Sequence, residues 1–234
     1  MNSNAAAGPM IEAHALSRIY MRGEEKIEAL QNVNLTITPG TFAIIFGPSG
    51  GGKSTLLHLL GGIDRPTSGS LIVSGNKLDK LNEAELTRFR QDHIGFIFQF
   101  YNLIPSINAI ENVALPLLAK GIKRKEALEH SKSLLERVGL NGRALHKPSQ
   151  LSRGEQQRVT IARAIAGKPA IVLADEPTGD LDAKSSEEVI RLMLDINHDL
   201  GTTFVVATHN ERFTAFADRL FVLRSGELSE THAA

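Results

Sequence analysis

One nine-residue stretch, GPSGGGKST at residues 47–55, restricts the possible folds of this 234-residue chain more than any other feature. It matches the pattern G-x-x-x-x-G-K-[ST], directly follows an apolar run of strand length and leads into a helical pattern. A glycine-rich loop in this context points several backbone N–H groups, and the positive end of a helix dipole, at one phosphate group. A glycine-rich turn without a ligand is the simpler alternative, but strand, loop and helix together favour a phosphate-binding loop.

The chemistry of this loop predicts a nucleoside triphosphate as its ligand. Lys53 can reach the β- and γ-phosphates, and the hydroxyl of Ser54 can ligate Mg²⁺. We expect ATP to contact all nine residues of the loop: Gly47, Pro48, Ser49, Gly50, Gly51, Gly52, Lys53, Ser54 and Thr55.

A second acidic motif supports this interpretation. The stretch AIVLADEP is an apolar strand that ends in Asp175 and Glu176. An acid at the end of a parallel strand lies at the carboxyl edge of the sheet, where ligands bind. We expect Asp175 to hold the Mg²⁺ shell and Glu176 to orient a water for in-line attack on the γ-phosphate. The alternative is a strand-end acid that caps the next turn.

The distribution of apolar residues predicts an α/β protein with a mixed, largely parallel sheet. Continuous apolar runs separated by helical patterns are typical of buried parallel strands; they occur at residues 42–46, 94–98, 170–173, 204–207 and 220–223. Shorter, partly alternating runs at residues 10–16, 31–38 and 70–73 predict an antiparallel sheet near the N-terminus. Helical patterns cover residues 123–138, 152–167 and 182–200.

We therefore predict a single domain over residues 1–234. Residues 10–98 and 168–228 form its ATP-binding core, and about 99–167 form a helical subdomain inserted into that core. The chain has 26 basic and 26 acidic residues and no cysteine. This balance predicts no nucleic-acid partner, and the absence of cysteine excludes disulfides and suits a reducing compartment. No apolar run reaches the roughly 18 residues that span a bilayer.

Five motifs together resemble the ATP-binding cassette (ABC) ATPases. GPSGGGKST, LSRGEQQ, LADEP, GDLD and ATHN occur in the order of that family, and the resemblance extends over residues 11–228. It implies the ABC ATPase fold, which is a phosphate-loop NTPase core with an N-terminal antiparallel β subdomain and a helical insertion. The stretches at residues 58–69 and 94–118 are similar to the lipoprotein-release and macrolide-export (LolD/MacB) group in particular.

The resemblance assigns further residues to the nucleotide. Gln99 corresponds to a glutamine that senses Mg²⁺ and the attacking water, and His209 to a histidine that contacts the γ-phosphate. Residues 179–182, with Asp182 at their end, resemble the loop that crosses a dimer interface. Tyr20 corresponds to an aromatic residue that stacks on adenine, although it could be an ordinary strand aromatic. Residues 100–103 lie where the family meets its membrane partner, although Phe100 and Tyr101 could belong to the subdomain core.

The motif LSRGEQQ predicts a capped helix as well as a phosphate contact. Ser152 and Glu155 have the spacing of a capping box, and Gly154 leaves room for an anion at the helix N-terminus. The usual family pattern is L-S-G-G-Q, so Arg153 replaces a glycine and Glu155 replaces a glutamine. Glu155 adds a negative charge beside an anion site. Arg153 either compensates this charge or is a solvated side chain that points away.

The resemblance implies an ATPase subunit of an ABC transporter that binds two ATP molecules between two copies of the chain. Ser152 and Gly154 of one copy would complete the site of the other. The resemblance implies integral membrane permease subunits as partners, and a cytoplasmic chain held peripherally at the inner membrane through them. One alternative is an ATPase that actuates a membrane complex without transport, as in cell-division signalling. A soluble ABC ATPase is less consistent with a single cassette that has only a modest helical region.

Overall fold

The computed structural model describes residues 8–231, so the outermost residues of the predicted 1–234 domain lie outside it. In chain order the strands are β1 (Ile11–Arg22), β2 (Glu25–Ile37), β3 (Phe42–Phe46), β4 (Ser68–Val73), β5 (Asn76–Lys77), β6 (Ile94–Ile97), β7 (Ile171–Asp175), β8 (Thr203–Thr208), β9 (Arg219–Arg224) and β10 (Glu227–Thr231). The α-helices are α1 (Lys53–Leu60), α2 (Glu83–His93), α3 (Ala109–Ala119), α4 (Arg124–Arg137), α5 (Arg153–Ala166) and α6 (Ala183–Leu200).

The strands form two sheets of different type. The first is antiparallel, with the order β2-β1-β4-β5. The second has the order β10-β9-β3-β8-β7-β6, in which all neighbours are parallel except the β9–β10 pair. This arrangement confirms the predicted α/β fold class, with its N-terminal antiparallel sheet and its mixed, largely parallel sheet.

The parallel sheet lies between two hydrophobic cores. Phe42 and Ile44 of β3 pack into a cluster with helices α3 to α6. Their neighbours Ala43 and Ile45 point the other way, into a cluster formed with α1 and the antiparallel sheet. Strands that are buried on both faces appear in the sequence as continuous apolar runs, which explains why the five predicted parallel strands were easy to find.

Two helices, the short strand β5, the terminal strand β10 and part of one hairpin were not predicted. Helix α2 buries only Leu86 and Phe89, so its apolar stripe is too short to stand out. Helix α3 contains Pro116, which normally argues against a helix interior. Strands β1 and β2 also extend well beyond the predicted runs 10–16 and 31–38, because their outer ends are polar and exposed and lack any alternation.

The helices α3, α4 and α5 all lie between β6 and β7 in the chain. Asn108 caps α3 and Ser152 caps α5, and both are completed by a glutamate three residues later. Across residues 8–231, none of the helices combines the length and the apolar character needed to cross a bilayer.

Candidate nucleotide site

The glycine-rich loop joins β3 to α1, and α1 begins at Lys53. Gly52 has φ of 101°, a conformation that favours glycine, and a Cβ there would collide with the carbonyl oxygen of Ala29. A Cβ at Gly47 would collide in the same way with the carbonyl oxygen of Leu223. The backbones of β2 and β9 therefore press directly on the loop and allow only glycine at these two positions.

The amine of Lys53 is buried at the centre of the loop. Its Nζ donates to the carbonyl oxygens of Gly47 at 2.9 Å and Pro48 at 3.1 Å. It also lies 3.2 Å from Oε1 of Glu176, which brings the two sequence motifs together. The loop thus positions the Lys53 ammonium group where it could bind the phosphate oxygens of a nucleotide in place of its present partners.

The carboxyl group of Asp175 has the properties expected of a cation ligand. It lies beside the Ser54 side chain, and its Oδ1 is buried without a hydrogen-bond partner among the described residues. Burial raises the pKa of Asp175, and the neighbouring charge of Glu176 adds to this effect. An unpartnered carboxylate oxygen beside a hydroxyl fits Mg²⁺, which is usually bound by one or two protein ligands together with substrate phosphates.

Glu176 is fixed by an unusual backbone and by the start of the next loop. Its φ of 45° is left-handed, a conformation that is uncommon for non-glycine residues. Its Oε2 accepts hydrogen bonds from the Thr208 hydroxyl at 3.2 Å and the His209 backbone N–H at 3.3 Å. The Nδ1 atom of His209 is 3.0 Å from the same oxygen. Glu176 is therefore held between Lys53 and the loop that follows β8.

A cavity of about 510 Å³ opens beside Lys53 and Glu176, and Asp175 does not line it. Gln99, Glu176 and His209 line it together with residues of the glycine-rich loop. Sequence reasoning missed a further part of its wall, formed by Ile27, Glu28, Ala29, Gln31, Ser225 and Gly226. These residues come from the outer end of β2 and the β9–β10 turn, and they carry no motif that would have indicated them.

The other predicted residues lie outside this cavity. Ser152 caps α5: its Oγ accepts from the Glu155 N–H at 3.2 Å, and Glu155 Oε2 accepts from the Ser152 N–H at 2.8 Å. Asp182 caps α6 and accepts from the backbone N–H groups of Lys184 and Ser185, and its pKa is lowered, most of all by the Ser185 N–H. Neither these two caps nor Gly154 lines the cavity that Lys53 occupies.

Comparison with known protein families agrees with this geometry. The family model described as ABC transporter matches residues 30–179, which is more than half of the chain. The chain belongs to the ABC transporter family. As an ABC ATP-binding cassette it is an ATPase, as the resemblance of its motifs implied.

Similar ABC proteins cover nearly the full length of the chain. It is 46% identical to the lipoprotein-releasing system ATP-binding protein LolD of Alcanivorax borkumensis, over 94% of this chain and 96% of that protein. It is also 46% identical to an uncharacterized ABC transporter ATP-binding protein of Thermotoga maritima, over 90% of each chain. A solved structure of the cassette MJ0796, a dimer in a post-hydrolysis state bound to ADP and Pi, is 43% identical with a TM-score of 0.90, over 96% of this chain and 99% of that one.

Tyr20 of this ABC cassette makes contacts that the sequence did not suggest. Its hydroxyl donates to Oδ2 of Asp64 at 2.7 Å, and the guanidinium of Arg18 lies 4.4 Å from the centre of its ring. Tyr20 does not line the cavity, whereas Ile27, its partner across the β1–β2 pair, does. Stacking of Tyr20 on adenine stays a prediction.

The structure also places the two unusual residues of the LSRGEQQ motif in this ABC chain. Nη1 of Arg153 donates to the carbonyl oxygen of Asp180 at 3.4 Å. The ion pair of Glu155 is formed instead with Arg143, whose Nε lies 2.8 Å from Oε1. The ionic partner of Glu155 is therefore Arg143, whereas the part that Arg153 plays in phosphate binding stays a prediction.

The segment after Gln99 is fixed to α5. Arg163 donates to the carbonyl oxygens of Asn102 at 2.6 Å and Tyr101 at 2.8 Å. The side chain of Phe100 remains 70% exposed, so it is not part of the hydrophobic core. Leu103, in contrast, packs against the core formed with α3 and α5.

Proposed function

We propose that this chain is the ATP-hydrolysing subunit of a transporter that releases lipoproteins or exports related amphiphiles. Several relatives that are 45–46% identical over 94% of the chain are named lipoprotein-releasing system ATP-binding proteins. In this proposal the chain lies on the cytoplasmic face of the inner membrane, held there by integral membrane permease subunits.

The observation that carries the proposed mechanism is that the exposed start of α5 lies outside the nucleotide cavity of its own chain. Ser152 is exposed and Gly154 is half-buried, so this end of the helix remains accessible to another molecule. Two copies arranged head to tail would place Ser152 and Gly154 of one copy over the ATP of the other. Asp182 would lie in the loop that crosses this interface. The dimeric structure of MJ0796 supports the arrangement.

In the proposed mechanism, the residues of the nucleotide site have separate roles in ATP hydrolysis. The nine loop residues hold the phosphates, and Lys53 exchanges the carbonyl oxygens of its own loop for phosphate oxygens. Glu176, released from Lys53, orients the attacking water, and His209 contacts the γ-phosphate. Charge on the phosphate oxygens is stabilised in a site that is already organised before the reaction.

A magnesium ion would be held by Ser54 and Asp175, with Gln99 near the attacking water. When it is bound, the ion neutralises charge on the β- and γ-phosphates. The buried Oδ1 of Asp175, which finds no hydrogen-bond partner in the described part of the chain, supports this assignment. Within residues 8–231, no three His, Asp or Glu side chains are grouped to hold a metal by themselves, so the phosphates would supply the remaining ligands.

Residues 99–167 would act as a subdomain that transmits the state of the nucleotide to the membrane partner. Gln99 lines the cavity, and the neighbouring Phe100 is exposed. One short segment therefore joins the γ-phosphate end of the site to a surface available to a permease.

Co-purification tests this function. The Glu176→Gln chain, purified with ATP from detergent-solubilised membranes, should bring an integral membrane protein and an acylated protein that mass spectrometry detects. Phe100→Asp should abolish this co-purification, whereas Met21→Asp should not, because Met21 is similarly exposed but lies on β1. Recovery of the chain without any membrane protein would contradict the proposed function.

A further inference from the structure

The N-terminus of α5 carries a negative charge at the place where the proposed function needs to attract an anion. Glu155 occupies the third position of the helix and completes its capping box. Backbone hydrogen bonding from Ser152 lowers the pKa of Glu155, and the hydrogen bond from Arg143 lowers it further, so the carboxylate is ionised at neutral pH. Such a charge stabilises the helix but repels a phosphate that approaches the same end.

Each oxygen of this carboxylate has one defined partner. Oε2 accepts from the Ser152 N–H at 2.8 Å, which is a neutral donor. Oε1 accepts from Nε of Arg143 at 2.8 Å, which is a cation. The pair of Glu155 and Arg143 therefore has no net charge.

Arg143 is held in this position by the turn between α4 and α5. The Arg143 N–H donates to the Leu140 carbonyl at 3.1 Å, and the His146 N–H donates to the Arg143 carbonyl at 3.0 Å. The same turn accepts hydrogen bonds from the first residues of α3, because the N–H groups of Ala109 and Ile110 donate to carbonyl oxygens of residues 146 and 144. The backbone that carries the Arg143 side chain is therefore anchored to α3 by hydrogen bonds.

The second cation nearby has a different partner. Arg153 lies directly beside the cap, but its guanidinium donates to the Asp180 backbone carbonyl at 3.4 Å. A carbonyl oxygen carries no formal charge, so this contact fixes the loop at residues 179–182 without neutralising an acid. Arg143 is therefore the cation that balances Glu155.

We propose that Arg143 is a positioning residue that neutralises Glu155 and so allows the N-terminus of α5 to receive the γ-phosphate bound by a second copy of the chain. This inference rests on the proposed function. The free N–H groups at the helix end keep their attraction for an anion only because the carboxylate among them is paired.

A double-mutant cycle tests this pairing in the Glu176→Gln chain. The measurement is the ATP concentration at half-maximal dimerisation, followed by sedimentation velocity with Mg²⁺ at low salt. Arg143→Gln should raise this concentration about two- to five-fold, the size expected for one charge at a helix terminus. The shift should shrink at high salt because counterions screen the exposed carboxylate.

The second arm of the cycle adds Glu155→Gln. Glutamine can still complete the capping box, but it carries no charge. Arg143→Gln should therefore leave the half-maximal ATP concentration unchanged once Glu155→Gln is present. A merely structural role of Arg143 would give the same shift in both backgrounds.

A matched control removes a similar ion pair elsewhere. Arg137 at the end of α4 pairs with Asp199 at 2.7 Å, and Arg137→Gln should leave the half-maximal ATP concentration unchanged. Equal shifts for Arg143→Gln with and without Glu155→Gln, or no shift at all, would overturn this inference alone. If the Glu176→Gln chain forms no dimer with ATP, the proposed sandwich fails and the inference fails with it.

Discussion

At the scale of single residues, the centre of the site is an ion pair between Lys53 and Glu176. The amine of Lys53 contacts the carboxylate of Glu176, which also accepts hydrogen bonds from the loop at His209. In the proposed mechanism Lys53 binds a phosphate of ATP instead of Glu176. The carboxylate of Glu176 can then orient the attacking water. The left-handed backbone at Glu176 indicates that its orientation is held at some conformational cost.

Asp175 gives a prediction about stability and activity together. Asp175→Asn removes a buried charge whose Oδ1 has no hydrogen-bond partner within residues 8–231, so the nucleotide-free protein should become more stable by on the order of 1 kcal/mol. Thermal unfolding in EDTA measures this gain. The same variant should lose Mg²⁺-dependent ATP hydrolysis. A lower melting temperature in EDTA would show that the carboxylate serves the fold rather than a cation.

At the scale of elements, the helices α2, α3 and α5 all begin with a capping box. Asn82, Asn108 and Ser152 each form a capping box at the start of α2, α3 and α5. A capping box satisfies backbone N–H groups at the helix end and requires no ligand. The capping box of α5 therefore does not by itself distinguish a phosphate site from an ordinary helix start.

A comparison of two caps separates these roles. Asn82→Ala and Ser152→Ala should each destabilise the protein by about 1 kcal/mol, because each removes one capping hydrogen bond. Only Ser152→Ala should also raise the ATP concentration needed to dimerise the Glu176→Gln chain. Chemical denaturation measures the first effect and sedimentation velocity the second. If both variants impair dimerisation to the same extent, Ser152 has no role beyond its cap.

The elements also show what the sequence could predict. Strands buried on both faces and helices with a long apolar stripe were found, and so was the capping box of α5. Helix α2 was missed because only two of its residues are buried, and α3 because Pro116 lies within it. The loop motifs placed Lys53, Asp175 and Glu176 correctly at one edge of the sheet, since strand ends meet there. The contact between Arg143 and Glu155 was not predictable, because it depends on how a turn packs on α3.

At the scale of the whole molecule, the predicted ATP contacts of the glycine-rich loop and of the LSRGEQQ motif form two separate groups, whereas Tyr20 and Asp182 lie in neither. The first group surrounds Lys53 in one cavity, and the second lies at the exposed start of α5. Only a second copy can bring the two groups together in the proposed function. The absence of cysteine in the chain makes this arrangement accessible to selective cross-linking, because every introduced thiol is unique.

The most direct test uses two populations of the Glu176→Gln chain, one carrying Ser49→Cys in the phosphate loop and the other Arg153→Cys at the start of α5. Both side chains are exposed in the single chain. After the populations are mixed with ATP and Mg²⁺, a short bismaleimide should link residue 49 of one copy to residue 153 of the other, and adding Lys53→Ala to both should abolish the product. A product that forms equally without ATP, or links only residue 153 to residue 153, would contradict the composite ATP site.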